Sequence, residues 1–431
     1  MGNQCCASAN DKNVHKETVP PENYNSRYNK SQQNNIQSPP QNDYYQSSNN
    51  NLNKKKSTPS QNKLKSIPDE DRNLLDNESG GNEGRRASLG SSIVNSNSGG
   101  RMSQRTSEMH GRGRYNEQNI MELDSIPPFK MKQTIPAHDK IIVCMIELKN
   151  KMIATGSYDN TIKIWSTNHD QIIVEKTIKE DGKVFSLLEF EDNMLLSAID
   201  KTPDGIQEIS QIKKDDIVIR LWDLNSQSNS SLADFKGHSL RVNSLVKCND
   251  KFFASCSNDN TIIIWDYVFK RKSNVLNGHT DCILCMILLN DGRLCSGSAD
   301  TTIKIWDWEN GTCENTLTGN NHWVKCLTQL SNDYIISGSQ DNLIKVWYNN
   351  SDIFDLPGHN RSVRSICQIG NTNYIATASF DHTIKIWDIS KRIQVQTLEG
   401  HSSSVINVIY HSDGYLISSS NDKTIKIWTN N

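Results

Sequence analysis

The sequence lacks any apolar run approaching ~18 residues, so nothing in it reads as a membrane-spanning helix. No signal-peptide pattern stands at its start. Net charge is nearly absent: 47 Lys+Arg against 49 Asp+Glu leave −2 over 431 residues. Residues 1–125 carry 16 basic and 14 acidic side chains, the remainder 31 and 35, so neither part is polarised toward a nucleic acid. A Gly-rich phosphate loop followed by Lys-Ser/Thr is missing. The 11 cysteines are odd in number and irregular in spacing, which reads as reduced cytosolic thiols packed as small apolar groups. Cys282-x-x-Cys285 has no second pair at zinc spacing, and on a strand its two side chains point to opposite faces. No metal and no cofactor are expected.

What the sequence does have is one short phrase used seven times. It reads TIKIWS at 161–166, IVIRLWD at 217–223, TIIIWD at 261–266, TIKIWD at 302–307 and 383–388, LIKVWY at 343–348 and TIKIWT at 424–429. The tryptophans are Trp165, Trp222, Trp265, Trp306, Trp347, Trp387 and Trp428, and an aspartate lies six residues before each. A period in the low forties means one supersecondary unit repeated. Within a unit, short runs of β-branched residues alternate with polar turns, which favours strands.

Residues 1–125 have a different texture, rich in Asn, Gln, Ser, Lys and Gly without helical or strand periodicity. Such a segment buries too little apolar surface to offset its ordering entropy and is expected to be disordered. Two motifs stand in it. Met1-Gly2-Asn3-Gln4-Cys5-Cys6 resembles an N-myristoylation signal at Gly2, with Cys6 where the pattern has Ser or Thr. Palmitoylation of Cys5 and Cys6 supplies the second acyl chain that stable anchoring needs, and Lys54-Lys55-Lys56 adds attraction to anionic lipid. Arg85-Arg86-Ala87-Ser88-Leu89 resembles a cyclic-nucleotide-dependent kinase site at Ser88, where phosphate adds about −1.5 to −2 charge. The expected location is the cytoplasm, including the cytoplasmic face of a membrane through peripheral attachment.

From residue 128 on, Gly-His precedes most units, at His238, His279, His359 and His401, with Ala-His at His138. This Gly-His/Trp-Asp pattern resembles the WD-repeat family. The resemblance implies an all-β fold: a seven-bladed β-propeller over residues 126–431, preceded by the disordered tail. The sequence ends just after the seventh third-strand motif, and the segment at about 129–135 is expected to supply that blade's missing fourth strand. Neither an F-box, RING or kinase domain nor the heptad helix of G-protein β subunits is visible before the repeats.

The repeated His, Ser/Thr and Asp look like a hydrolase triad. The five sets are His138, Thr155, Asp159 with Trp165; His238, Ser255, Asp259 with Trp265; His279, Ser296, Asp300 with Trp306; His359, Thr377, Asp381 with Trp387; and His401, Ser418, Asp422 with Trp428. Five copies argue for structure, and the resemblance assigns them a hydrogen-bond chain that ties the turn before the first strand to the Trp indole. Two units depart: the fifth has Asn320 for His, and the second has no His over 179–181, a Ser197 out of register with Asp216 and an insertion near 201–214.

Proteins of this family bind peptides around the central opening, and the resemblance carries a first ring of positions onto Val143, Phe185, Asn243, Leu284, Lys325, Arg364 and Ile406. Neighbouring rim positions include Arg241, Tyr158, Trp323 and Phe380. Trp323, Lys325, Arg364 and Phe380 are expected to meet on the fifth and sixth blades and to suit an acidic or phosphorylated peptide. The leading expectation is a non-catalytic scaffold for protein or peptide partners. The alternatives are a substrate-recognition subunit of a ubiquitin ligase and, in another class, a hydrolytic enzyme.

Overall fold

The computed structural model describes residues 126–430, apart from 168–171, 205–208, 214 and 229. The acylation and kinase motifs at Gly2, Cys5, Cys6 and Ser88 lie outside the described residues.

The described residues form seven four-stranded antiparallel sheets. We name the strands a to d from the axis outward. In blade 1 they are Ile142–Glu147, Ile153–Ser157, Thr161–Ser166 and Ile173–Lys179. Strand b is small and buried on both faces, because each sheet is packed between two others: Ile153–Ser157 reads IATGS with every residue covered. Strand d is the outer edge and mostly exposed, with one buried residue near its end, Ile178 in blade 1 and Leu276 in blade 3. The a strands of successive blades are neighbours all the way round, and blade 7 returns to blade 1, so the ring is closed.

Closure uses the segment before the first repeat. Lys130–Pro136 pairs antiparallel with Thr424–Thr429 as the outer strand of blade 7, placing Met131 opposite Trp428 and Ile135 opposite Ile425. Phe129 is buried among blade 6 and 7 residues, and Gln396 bonds its backbone N–H (2.9 Å) and carbonyl (2.7 Å). Ile135 packs with Ile142 and Trp165 of blade 1. One strand therefore ties three blades.

Every pairing of strands a and b slips by one residue, and the residue skipped is the same in each blade: Val143, Phe185, Asn243, Leu284, Lys325, Arg364 and Ile406. A β-bulge leaves one residue unpaired and re-aims its side chain. These seven side chains line the axial channel, which has room of about 270 Å³, as the first ring expected from the family. The bulge is thus the local cause of the rim.

Candidate functional site

In five blades the His, Ser/Thr, Asp and Trp meet as one buried chain. His279 Nδ1 lies 2.7 Å from Asp300 Oδ2 and its Nε2 2.8 Å from Ser296 Oγ, which accepts the Trp306 indole N–H at 2.8 Å. The carboxylate sets the tautomer: Nδ1–H donates to Asp300, and Nε2 accepts from the serine hydroxyl. Asp300 also accepts the Thr280 and Thr302 backbone N–H groups and the Thr302 hydroxyl. The same contacts recur within 0.2 Å in the His138, His238, His359 and His401 sets. Burial alone would raise these carboxyls. The histidine and threonine hydrogen bonds outweigh it, holding Asp300 well below the carboxylate range and Asp259 down to about 2. Ser296 is fully buried with its oxygen engaged from both sides, so a reacting carbonyl has no approach to it. The arrangement pairs buried polar groups and fixes the turn.

A second serine in each of six blades completes the turn. Ser298 Oγ donates to the Asp281 carbonyl and accepts the Asp300 N–H, each at 3.0 Å, and Ser157, Ser257, Ser339, Ser379 and Ser420 do the same. Sequence reasoning missed this set, although a Ser two residues before the Asp is a visible signal.

The two departing blades solve the problem differently. In blade 2, Ser197 is in register after all: it accepts the Trp222 indole at 3.0 Å and donates to Glu180 Oε1 at 3.0 Å. The insertion moved it away from Trp222 in sequence but not in space. Asp216, though six residues before Trp222, instead accepts the Lys213 N–H at the end of the insertion. Glu180 occupies the histidine position, and Arg220 bonds it at 2.8 Å and also reaches Asp181 and Asp234. Burial pushes Glu180 up to about 7 against these hydrogen bonds. In blade 5, Asn320 is buried and weakly bonded to Ser337 at 3.4 Å, while Ser337 keeps the Trp347 indole at 2.8 Å. The described ends of the insertion are held by ion pairs, Lys201 to Asp181, Lys183 to Asp204 and Lys236 to Asp215.

The rim expectation needs correction. Trp323, Lys325, Arg364 and Phe380 do not form one cluster. Trp323 packs on Cys282, Leu284 and Ala299, and Lys325 is only 3 % exposed with its ammonium 4.8 Å from the Trp323 ring. The bulge is common to all seven blades; what distinguishes Lys325 is the Trp323 ring beside it, seated on the blade 4 residues, and its place among the channel-lining side chains. The mouth cavity instead gathers Arg364 and Phe380 with Tyr158, Phe185 and Arg241, walled by Ile141, Val143, Asn243, Ile406 and Asn421. Arg241 lies over the Phe185 ring at 4.6 Å and donates to Asn243 Oδ1 at 3.2 Å. Tyr158 meets Phe185 edge-on at 5.2 Å, and the Lys183 ammonium lies 5.5 Å from the Tyr158 ring. Among the described residues, neither the mouth nor the channel is lined by an Asp or Glu, although the lining includes Arg241, Lys325 and Arg364.

The thiols are placed for packing. Cys282 Sγ donates to the Asn258 carbonyl at 3.5 Å, whereas Cys285 Sγ approaches the Gly297 and Val324 carbonyls. Burial pushes Cys326 up to about 12 and Cys285 well above its usual range.

Comparison with known proteins agrees with this geometry. The family model described as WD domain, G-beta repeat matches residues 129–166, 229–266, 270–307, 311–348, 350–388 and 392–429, and passes over blade 2, where Glu180 and the insertion lie. Nuclear distribution protein nudF of Aspergillus niger is 30% identical over 314 residues, 70% of this chain and 62% of the relative. Probable coatomer subunit beta' of Schizosaccharomyces pombe is 38% identical over 78 residues, 17% of this chain and only 10% of that relative. The crystal structure of the WD40 beta propeller domain of Doa1 superposes with a TM-score of 0.61 at 23% identity, covering 71% of this chain and 98% of that one. With six matched repeats over more than half its length, the chain belongs to the WD-repeat family and carries that family's protein-interaction propeller.

Proposed function

We propose that the protein is a non-catalytic scaffold whose channel mouth holds an acidic segment of a protein partner. One observation carries the reading: guanidinium groups and aromatic rings converge at the mouth, and no carboxylate lines it, in a propeller region whose own charge is 31 basic against 35 acidic. In that setting an incoming carboxylate or phosphate gains charge-assisted hydrogen bonds from the guanidinium groups. The aromatic rings supply apolar contact around the charge. The acylation motif at Gly2, Cys5 and Cys6 supports a peripheral membrane location for the same scaffold.

Affinity purification with mass spectrometry tests both parts. The native chain and Arg364→Glu, matched in thermal stability, are purified from soluble and membrane fractions. A discrete partner set lost in Arg364→Glu is expected, as is a smaller membrane pool in Gly2→Ala. An unchanged partner set sinks the mouth reading, and an unchanged membrane pool sinks the tether.

A further inference from the structure

The turn between strands c and d of blade 3 carries the two most exposed large apolar side chains among the described residues, Val268 at 58 % and Phe269 at 69 %. They are held out. The Phe269 N–H donates to Asp266 at 3.0 Å, Lys270 closes the turn at φ +54°, and buried Tyr267 beneath is stacked on Phe190 at 4.0 Å.

The repeat provides its own control. The two residues at the matching turn are Glu309 and Asn310 in blade 4, and Ser390 and Lys391 in blade 6. The fold therefore does not require apolar side chains there. Cations surround the pair. The Arg271 guanidinium lies 5.2 Å from the Phe269 ring, the Lys270 ammonium 3.6 Å from the Tyr267 ring, and exposed Lys251 accepts the Tyr267 N–H on its carbonyl. Three carboxylates lie in the same region: Asp250 is paired with Lys247, Asp266 holds the turn and Glu191 accepts from the Tyr267 hydroxyl.

We propose that this turn is a contact for an anionic lipid surface, with Val268 and Phe269 entering the headgroup layer and Lys251, Lys270 and Arg271 pairing with lipid phosphates and carboxylates. A convex apolar tip ringed by cations matches the two attractions of such a surface, apolar burial at the acyl boundary and charge at the headgroups. The proposal does not rest on the channel-mouth reading, nor on acylation.

The test uses the full chain with Gly2→Ala, Cys5→Ser, Cys6→Ser and Lys54, Lys55 and Lys56 changed to Gln, which removes the acylation sites and the basic run of the tail. It is sedimented with phosphatidylcholine vesicles, with or without about 30 % phosphatidylserine. Binding to the anionic vesicles alone is expected. Val268→Ser with Phe269→Ser should abolish it, and Lys270→Gln or Arg271→Gln should each weaken it about fivefold, the ratio for ~1 kcal/mol per cation. Absence of binding, or binding unchanged by the tip substitutions, overturns the proposal. Self-association lost in the same variants without vesicle binding would assign the tip to a second copy and overturn it as well.

Discussion

At the scale of single residues, blade 2 exchanges an imidazole for a buried carboxylate, and the carboxyl groups of the two arrangements, Asp259 and Glu180, respond oppositely to pH. Asp259, pulled down to about 2, stabilises the fold at pH above the ordinary carboxylate range and loses that contribution as pH falls toward 2. Glu180 is raised instead, by burial first, to about 7. Between about 4.5 and 7 the folded chain keeps a proton that the unfolded chain has released, so this contribution is present at low pH and is lost as pH rises through that window. Glu180→Gln keeps the acceptor for Ser197 or Arg220 and removes the titration. It is expected to flatten the pH dependence of the urea midpoint between about 5 and 7. The same slope in both proteins would show that Glu180 stays ionised. Glu180 was legible in the sequence, but from the wrong landmark. Counted from Trp222 the histidine slot is blurred by the insertion; counted from strand b it is 17 residues before Ser197, the separation found between His138 and Thr155.

At the scale of the element, strands a and b are matched by volume across the bulge. Three blades oppose a cysteine to a glycine, Cys144 to Gly156, Cys285 to Gly297 and Cys326 to Gly338, each beside a valine of the next blade. Where strand a carries the smaller serine, strand b carries Ala198, Cys256 or Ala378. A Cβ on Gly297 would stand 2.5 Å from Val324 Cγ1 and 2.7 Å from Cys285 Sγ. Overpacking of this kind costs about 1–3 kcal/mol. Gly297→Ala should lower stability by that amount, and adding Cys285→Ser should restore a substantial part of it, read as urea midpoints. No recovery in the double variant would place the conflict at Val324 alone. Strand identity and the Trp period were plain in the sequence because they depend on local pattern. The bulge was not, because it is a relation of register between two strands; hence the rim positions came only through the family resemblance, and Lys325 was expected to face the partner rather than the channel.

At the scale of the whole molecule, the ring has to close on itself, and the described residues show two seams where it does. On the outer edge, Lys130–Pro136 covers Thr424–Thr429 and carries Phe129 into the blade 6 and 7 core. At the turns between strands a and b, buried His411 of blade 7 bonds the Lys151 carbonyl at 3.0 Å, Glu147 accepts the Ser412 N–H, and Lys151 pairs with Asp413 at 2.6 Å. These seams differ in kind. The second adds polar contacts to the apolar packing of Ile417 and Ile427 with Ile142 and Met145, whereas the first removes a strand edge from solvent and buries Phe129 and Ile135, worth about 3–5 kcal/mol for a buried aromatic alone. Deleting residues 126–136 should therefore lower the melting temperature by many degrees and expose Thr424–Thr429 as an aggregating edge. Deleting residues 1–120 leaves every described contact in place and should leave melting nearly unchanged. Scanning calorimetry of both truncations beside the full chain decides it. Equal melting of the two would mean that the ring is held by blade-to-blade packing and that the closing strand is dispensable. A large difference would mean that the propeller is complete only when the strand at 130–136 pairs with the one at 424–429, nearly 300 residues further on, as Met131 and Lys426 do.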